Sequence, residues 1–144
     1  MVRASVHEAL AGVTRILHAG DVGGDGVLAE LATIAPVEAV YGNTDAPDDP
    51  RLVQRLALMI DGVRIHVSHG HELGSPTPER LLAAYDADVI VYGHTHKQQV
   101  TSAGGRLVVN PGAAGARRFR LAPSVAILTI AIGGAEVELV PLAE

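Results

Sequence analysis

The 144-residue sequence contains no cysteine and no tryptophan, and only 3% of its residues are aromatic. The lack of cysteine excludes disulfide bonds and thiolate metal sites. Because aromatic rings are so few and hydrophobic residues make up 48% of the chain, the core must be built mainly from Ala, Val, Leu and Ile. A chain of this length is long enough for one sizeable core, so we expect a single domain over residues 1–144.

Long hydrophobic runs are also absent. The stretch 126–132 contains Thr129 and is far shorter than the roughly 20 apolar residues of a membrane-spanning helix. The chain does not open with a charged segment followed by an apolar one, so secretion is not indicated. The net charge of −5 argues against a nucleic-acid scaffold held by bulk electrostatics. We therefore expect a cytoplasmic protein without a membrane partner or a stable nucleic-acid partner.

The most informative stretch is a buried strand that runs directly into two histidines. Val89 to Tyr92 has the β-branched and aromatic composition of a strand, and Gly93 then allows a sharp turn. His94 and His96 follow, and would project from the carboxyl end of the strand, where α/β sheets bind ligands. Alone, such a histidine pair is more often part of a solvated surface than of a metal site.

The remaining pattern favours a layered α/β fold. The first half alternates helices and strands, whereas the second half consists mostly of hairpins around one further helix. The expected helices cover residues 5–11, 26–34 and 78–85, the early strands 14–19 and 37–41, and the hairpins 55–68, 99–109 and 125–140. The hairpin over 55–68 has an Asp61-Gly62 turn, which is typical of two-residue hairpin loops.

Several of these strands end in a glycine beside a side chain that can bind a metal. The side chains are Asp21 after Gly20, Asn43 after Gly42, His69 before Gly70, and His94 with His96 after Gly93. Each alone has a structural interpretation, such as a helix N-cap, a turn residue or a polar strand end. Their recurrence at equivalent positions favours one shared site.

Carboxylate, amide oxygen and imidazole together are suitable ligands for Mn, Fe, Zn or Ni, and poor ones for Ca or Cu(I). A carboxylate can also bridge two ions that lie about 3.5–4 Å apart, and such pairs hydrolyse phosphoesters. The residue types therefore indicate a divalent transition metal and phosphoester chemistry.

The ordered motifs resemble those of the calcineurin-like metallophosphoesterase superfamily, in particular its small bacterial and archaeal phosphodiesterases. They are Gly20-Asp21, Gly42-Asn43, Ser68-His69-Gly70-His71, Gly93-His94-Thr95-His96 and Asn110-Pro111-Gly112. The resemblance implies a four-layer αββα sandwich with a dinuclear site, usually assayed with Mn, although Ni, Fe or Zn would also suit it. It assigns Asp21 as the ligand that bridges the two metals. Asn43, His69 and His94 would bind the second metal together with Asp21, and His96 would bind the first.

The sequence departs from the family pattern in two places. Many relatives carry a histidine directly after Gly-Asn as a general acid, where this chain has Thr44. His71 or His66 would be the alternative acid, or else each is a structural histidine. The family's opening strand, which ends in Asp-x-His, is also missing. Of the ligands of the first metal, only Asp21 and His96 are then present, and we expect the chain to bind as few as one ion.

The missing strand leads to an expectation about the natural protein. We expect an upstream segment with both missing ligands. The 144-residue form should then bind fewer metals, be less stable and hydrolyse diesters weakly or not at all, and its open sheet edges can pair with another copy to give a homodimer or an aggregate. Three functions remain open: a metal-dependent phosphodiesterase acting on a small phosphodiester, a non-catalytic scaffold or interaction module of the same fold, and a metal-binding regulator without turnover.

Overall fold

The computed structural model describes residues 2, 4–22, 26–46, 48–95, 97–113, 123–131 and 134–142. His96, one of the five predicted ligands, lies outside these residues. The described helices and strands, in chain order, are α1 (Ala4–Ala9), β1 (Ile16–His18), α2 (Val27–Ala32), β2 (Val37–Val40), β3 (Leu52–Val53), β4 (Arg55–Ile60), β5 (Val63–Ser68), a 3-10 turn (His71–Leu73), α3 (Pro78–Ala84), β6 (Val89–Val91), β7 (Gln99–Ala103), β8 (Arg106–Asn110), β9 (Ser124–Ala131) and β10 (Gly134–Pro141).

The larger sheet has the strand order β4-β5-β6-β8-β7. Its hairpin β4–β5 has the predicted bounds, and Asp61 and Gly62 adopt the positive φ angles of 48° and 82° that a type I′ turn requires. β5, β6 and β8 are parallel neighbours. Their carboxyl ends therefore lie side by side, and each is followed by one of the polar motifs.

The smaller sheet has the order β1-β2-β3, with both pairs parallel, and β9 and β10 form a separate antiparallel pair. The short strand β3, Leu52–Val53, was not expected from the sequence. It exists because its two residues pair with Ala39 and Val40, a non-local contact that leaves no periodic pattern. The carboxyl ends of β1 and β2 place Asp21 and Asn43 at one edge.

Three hydrophobic clusters separate four layers. Helices α1 and α2 pack against the smaller sheet through Val6 and Leu31, which are 2% and 6% exposed. The two sheets face each other across a cluster centred on Val40 and Val67. Helix α3 packs through Leu81 on the outer face of the larger sheet. The αββα sandwich is therefore confirmed, and the strand that the family carries before residue 1 stays a prediction.

Among the described helices, none has the length and apolar character needed to cross a membrane.

Candidate metal centre

Four of the five predicted ligands meet at the carboxyl ends of neighbouring strands. Nε2 of His69 lies 2.9 Å from Oδ1 of Asn43 and 3.2 Å from Oδ2 of Asp21. Nδ1 of His94 lies 3.1 Å from the same amide oxygen of Asn43. The structure thus brings Asp21, Asn43, His69 and His94 together, whereas His96 is not among the described residues.

Two of these four residues have an unusual backbone conformation. Asp21 and His94 have φ angles of 53° and 70°, in the left-handed region. That conformation costs a non-glycine residue roughly 1–2 kcal/mol. Such strain collects at functional sites, where the surrounding structure holds it in place. In this conformation the Asp21 side chain reaches His69 and the His94 side chain reaches Asn43.

Close packing around the His69 ring and the Asp21 carboxylate explains two of the glycines. Gly20 has a φ of +103°, and a Cβ there would lie 2.5 Å from Nδ1 of His69. A Cβ on Gly42 would overlap the carboxylate of Asp21. Both positions therefore need glycine so that the loops can approach the ring and the carboxylate.

The hydrogen bonds of His69 fix the role of each ring nitrogen. Nδ1 lies 2.8 Å from the carbonyl oxygen of Ala19 and must donate to it, so Nε2 carries the lone pair. Burial lowers the pKa of His69, which favours the neutral form of the ring. The Nε2 lone pair then faces the carboxylate of Asp21, which is also an acceptor. A cation between the two atoms would satisfy both.

The spacing of the donor atoms also fits a metal ion. Ligand atoms in adjacent octahedral positions, each at about 2.1 Å from an ion, are about 3 Å apart. The three separations of 2.9, 3.1 and 3.2 Å match this value. In the part of the chain that the structure describes, no three His, Asp or Glu side chains form a ligand group by themselves. The amide oxygen of Asn43 is therefore needed, because both histidines contact it.

Thr44 orients the carboxylate of Asp21, a role that sequence reasoning missed. Its backbone N–H and its hydroxyl donate to Oδ1 of Asp21, at 3.0 and 2.7 Å. The other oxygen, Oδ2, is thereby turned toward His69. In the sequence, Thr44 is noticeable only because many relatives have a histidine at this position. No local signal indicates its contact with Asp21.

Asp45 joins the two loops that carry Asp21 and Asn43. Both of its oxygens lie 3.0 Å from the N–H of Val22, and Oδ2 also accepts from Gly42 at 2.9 Å. Carboxylates often accept hydrogen bonds from backbone N–H groups in turns. The sequence signal that could have indicated this role is the position of Asp45, two residues after Asn43.

Asn110 holds the loop of His94. It is fully buried, and its Nδ2 donates to the carbonyl of Gly93 and to the hydroxyl of Thr95, at 3.2 and 3.0 Å. The Asn110-Pro111-Gly112 motif was visible in the sequence, but its role depends on the pairing of β8 with β6.

The two alternative acids occupy different places. His66 is 7% exposed, stacks on Tyr85 with ring centroids 3.7 Å apart, and contacts the Ser68 hydroxyl at 3.0 Å. His71 lies beside the site, with its ring 5.2 Å from that of His69 and 6.4 Å from that of His94. Its buried Nδ1 has no hydrogen-bond partner among the described atoms.

A four-layer sandwich with this set of side chains at its strand ends agrees with the family resemblance of the sequence motifs. Residues 2–133 match the family model of the calcineurin-like phosphoesterase superfamily domain. The chain belongs to this superfamily.

Individual relatives and solved structures agree with this assignment. A probable metallophosphoesterase of Methanothermobacter thermautotrophicus is 34% identical over 129 residues, covering 88% of this chain and 74% of that protein. The phosphodiesterase MJ0936 of Methanocaldococcus jannaschii is 26% identical over 113 residues, covering 69% and 67%. The structure of Vps29 with Zn²⁺ from Entamoeba histolytica has a TM-score of 0.80 at 26% identity, covering 98% of this chain and 90% of that one.

Proposed function

We propose that the protein is a metal-dependent phosphodiesterase whose metal is held by Asp21, Asn43, His69 and His94. The observation that carries this proposal is the convergence of three ligand atoms: Nε2 of His69 lies 2.9 Å from Oδ1 of Asn43 and 3.2 Å from Oδ2 of Asp21. When His69 is neutral and its Nδ1 donates to Ala19, none of these three atoms can donate to another, so the group is suited to a shared cation. His96, outside the described residues, is the expected ligand of a first ion bridged by Asp21.

The proposed metal is Mn, with Ni, Fe and Zn as alternatives that the same donors accept. The Vps29 structure that binds Zn²⁺ supports a transition metal in this fold. When bound, a divalent ion supplies charge that stabilises phosphoryl oxygens and lowers the pKa of a coordinated water.

The protein's own residues define what else the reaction can use. Thr44 cannot serve as a general acid, because an aliphatic hydroxyl is far too weakly acidic, and this one already donates to Oδ1 of Asp21. Without an acid at that position, and with His66 and His71 taken as structural histidines, the leaving group departs with little proton assistance. The proposed substrate class is therefore a small phosphodiester with a leaving group of low pKa. We also propose a cytoplasmic location for the protein.

A second candidate is a non-catalytic scaffold. It is favoured by the similarity to Vps29, which extends over 98% of this chain. A scaffold does not require the lone pair of His69 to face a carboxylate, so we rank it below the enzyme.

The two candidates differ in a hydrolysis assay. With bis(p-nitrophenyl) phosphate as substrate, the metal-free protein should be inactive and should gain activity when Mn²⁺ is added. Asn43→Ala and His94→Ala should lose most of this activity. His7→Ala should retain it, because His7 lies on helix α1, pairs with Glu30 and is not one of the proposed ligands. Metal-independent hydrolysis, or equal activity in all four proteins, would overturn the proposal.

A further inference from the structure

The peptide group that follows His69 is held from both sides. Its carbonyl oxygen accepts the N–H of Gly93 at 3.0 Å, and its N–H, which belongs to Gly70, donates to Oε1 of Glu72 at 3.0 Å. A peptide group is planar, so a hydrogen bond at each end fixes its orientation. One bond reaches the loop of His94, and the other reaches a carboxylate that is not one of the proposed ligands.

Glycine at position 70 is the reason why this peptide group needs to be held. Gly70 has a φ of +101°, and glycine gives the backbone more conformational freedom than any other residue. Rotation of the peptide group would break both of its hydrogen bonds and release the amide of Gly93, which directly precedes His94. The bond from Gly70 to Glu72 therefore keeps the loops of His69 and His94 together.

The carboxylate of Glu72 is itself held from the end of helix α3. The hydroxyl of Tyr85, the residue after α3, donates to Oε2 of Glu72 at 2.7 Å. Burial and this hydrogen bond raise the pKa of Tyr85 to about 12, so the phenol remains protonated and is the donor. The guanidinium of Arg106 fixes the backbone here, because it donates to the carbonyl oxygens of Leu82, Tyr85 and Ala87. A continuous set of hydrogen bonds thus runs from β8 through the end of α3 to the peptide group beside the site.

We propose that Glu72 and Tyr85 are positioning residues for the candidate metal centre. Glu72 fixes the peptide group and Tyr85 fixes Glu72, so that the rings of His69 and His94 are held with their centroids 5.2 Å apart before a metal binds. Ligands that are already in place bind more tightly, because less conformational freedom is lost on binding. The inference rests on the proposed metal site.

The test compares Glu72→Ala with Glu72→Gln in calorimetric titrations of the metal-free protein with Mn²⁺. Glutamine keeps an oxygen for the amide of Gly70 and offers an N–H to the oxygen of Tyr85, but like alanine it removes the negative charge. Weaker binding in both variants would be an effect of charge, whereas weaker binding in the alanine variant alone is an effect of position. Glu79→Ala, in the exposed first turn of α3, is the matched control for loss of a carboxylate.

We expect Glu72→Ala to weaken Mn²⁺ binding by about 10-fold, the lower end of the usual range for residues that support a ligand. Glu72→Gln and Glu79→Ala should bind like the parent protein. Tyr85→Phe keeps the ring on His66 and should weaken binding by about 3-fold, because it removes only one hydrogen bond of the carboxylate. It should have no further effect in the Glu72→Ala protein, since the two residues act through one contact.

Hydrogen exchange at the amide of Gly70, followed by NMR in the metal-free protein, gives a readout that needs no metal. Exchange should become about 10-fold faster in Glu72→Ala and stay unchanged in Glu72→Gln, because the lost hydrogen bond protected this amide. A residue that only stabilises the fold would instead lower the free energy of unfolding and leave the Mn²⁺ affinity of the folded protein unchanged.

Three results would overturn the inference: parent-like Mn²⁺ affinity in Glu72→Ala, equal losses in Glu72→Ala and Glu72→Gln, or unchanged exchange at Gly70. If Glu72→Ala does not fold, Tyr85→Phe decides, and parent-like affinity in that variant overturns the inference. A parent protein that binds no Mn²⁺ would overturn the proposed function, whereas a parent that binds it and shows one of the other results overturns this inference alone.

Discussion

The Nδ1 atom of His69 donates to the carbonyl oxygen of Ala19 at 2.8 Å, and this contact ties β5 to the end of β1. The two residues are 50 positions apart in the sequence. Because Ala19 directly precedes the Gly20-Asp21 turn, the same contact that selects the tautomer of His69 also sets where the Asp21 carboxylate stands relative to it. The candidate centre is therefore organised around one imidazole shared by both sheets.

Removal of a ligand should weaken metal binding without disturbing the fold. Even changes to residues that only support a ligand cost roughly 10–100-fold in metal affinity, so Asn43→Ala and His94→Ala should each lose at least that much. Calorimetric titration with Mn²⁺ measures the effect, with His7→Ala as the control. Parent-like affinity in both variants would show that the ligand assignment is wrong.

Hydrolysis should depend steeply on the pKa of the leaving group, because Thr44 stands where many relatives have an acid. Diesters should react faster than alkyl monoesters. Thr44→His should raise the rate toward poor leaving groups by about 10²-fold and flatten the dependence.

Thr44→Ser is the matched control for this substitution, since it keeps a hydroxyl for Oδ1 of Asp21 and adds no acid. Rates for a series of aryl and alkyl diesters measure the slope. A slope near zero in the parent protein would contradict the interpretation of Thr44.

Two glycines with similar backbone angles should respond differently to alanine. Gly12 and Gly20 have φ angles of +86° and +103°, but a Cβ on Gly12 meets no atom within 4 Å, whereas one on Gly20 meets His69. Gly12→Ala should therefore lower the free energy of unfolding only by the cost of a left-handed backbone at a non-glycine residue, about 1 kcal/mol. Gly20→Ala should cost more and also weaken Mn²⁺ binding, as denaturant unfolding and calorimetry would show. Equal costs would mean that the ring is not held as described.

The metal-free protein should lose stability in mild acid. Burial lowers the pKa of His18, His66 and His69 below the ordinary value of 6.5. As the pH falls through 6.5, these histidines take up protons in the unfolded chain before they do so in the folded one, so acid favours unfolding. The stability that these neutral histidines retain is fully present above pH 6.5. It is lost progressively as the pH falls from 6.5 toward the lower pKa values that the histidines have in the folded protein.

Guanidinium unfolding with EDTA at pH 7.5 and 5.5 measures this change. His66→Phe keeps a ring against Tyr85 but cannot titrate, so its free energy of unfolding should fall less between the two pH values. A parent protein that becomes more stable at pH 5.5 would refute the sign of the effect.

Local patterns in the sequence were sufficient for much of the fold. The β4–β5 hairpin was predicted to the residue, because its alternation and its Asp61-Gly62 turn both act over short distances. Helix α3 was also anticipated, since Thr77 caps it and Pro78 occupies its first position. Strand β3 was missed because parallel pairing with β2 alone creates it.

The site shows the same division. Asp21, Asn43, His69 and His94 were predicted from glycines at strand ends, which are local signals. The contacts of Thr44 with Asp21 and of Asp45 with Val22 each span 23 positions. They depend on the order of strands in the sheet, which the sequence pattern does not specify.

The most direct test of the central claim is an anomalous difference map at the Mn absorption edge from crystals grown with Mn²⁺. The account predicts a peak bounded by Oδ2 of Asp21, Oδ1 of Asn43, Nε2 of His69 and the ring of His94, at about 2.0–2.3 Å from each donor atom. The absence of a peak among these four side chains, in a crystal that binds Mn²⁺ elsewhere, would contradict it.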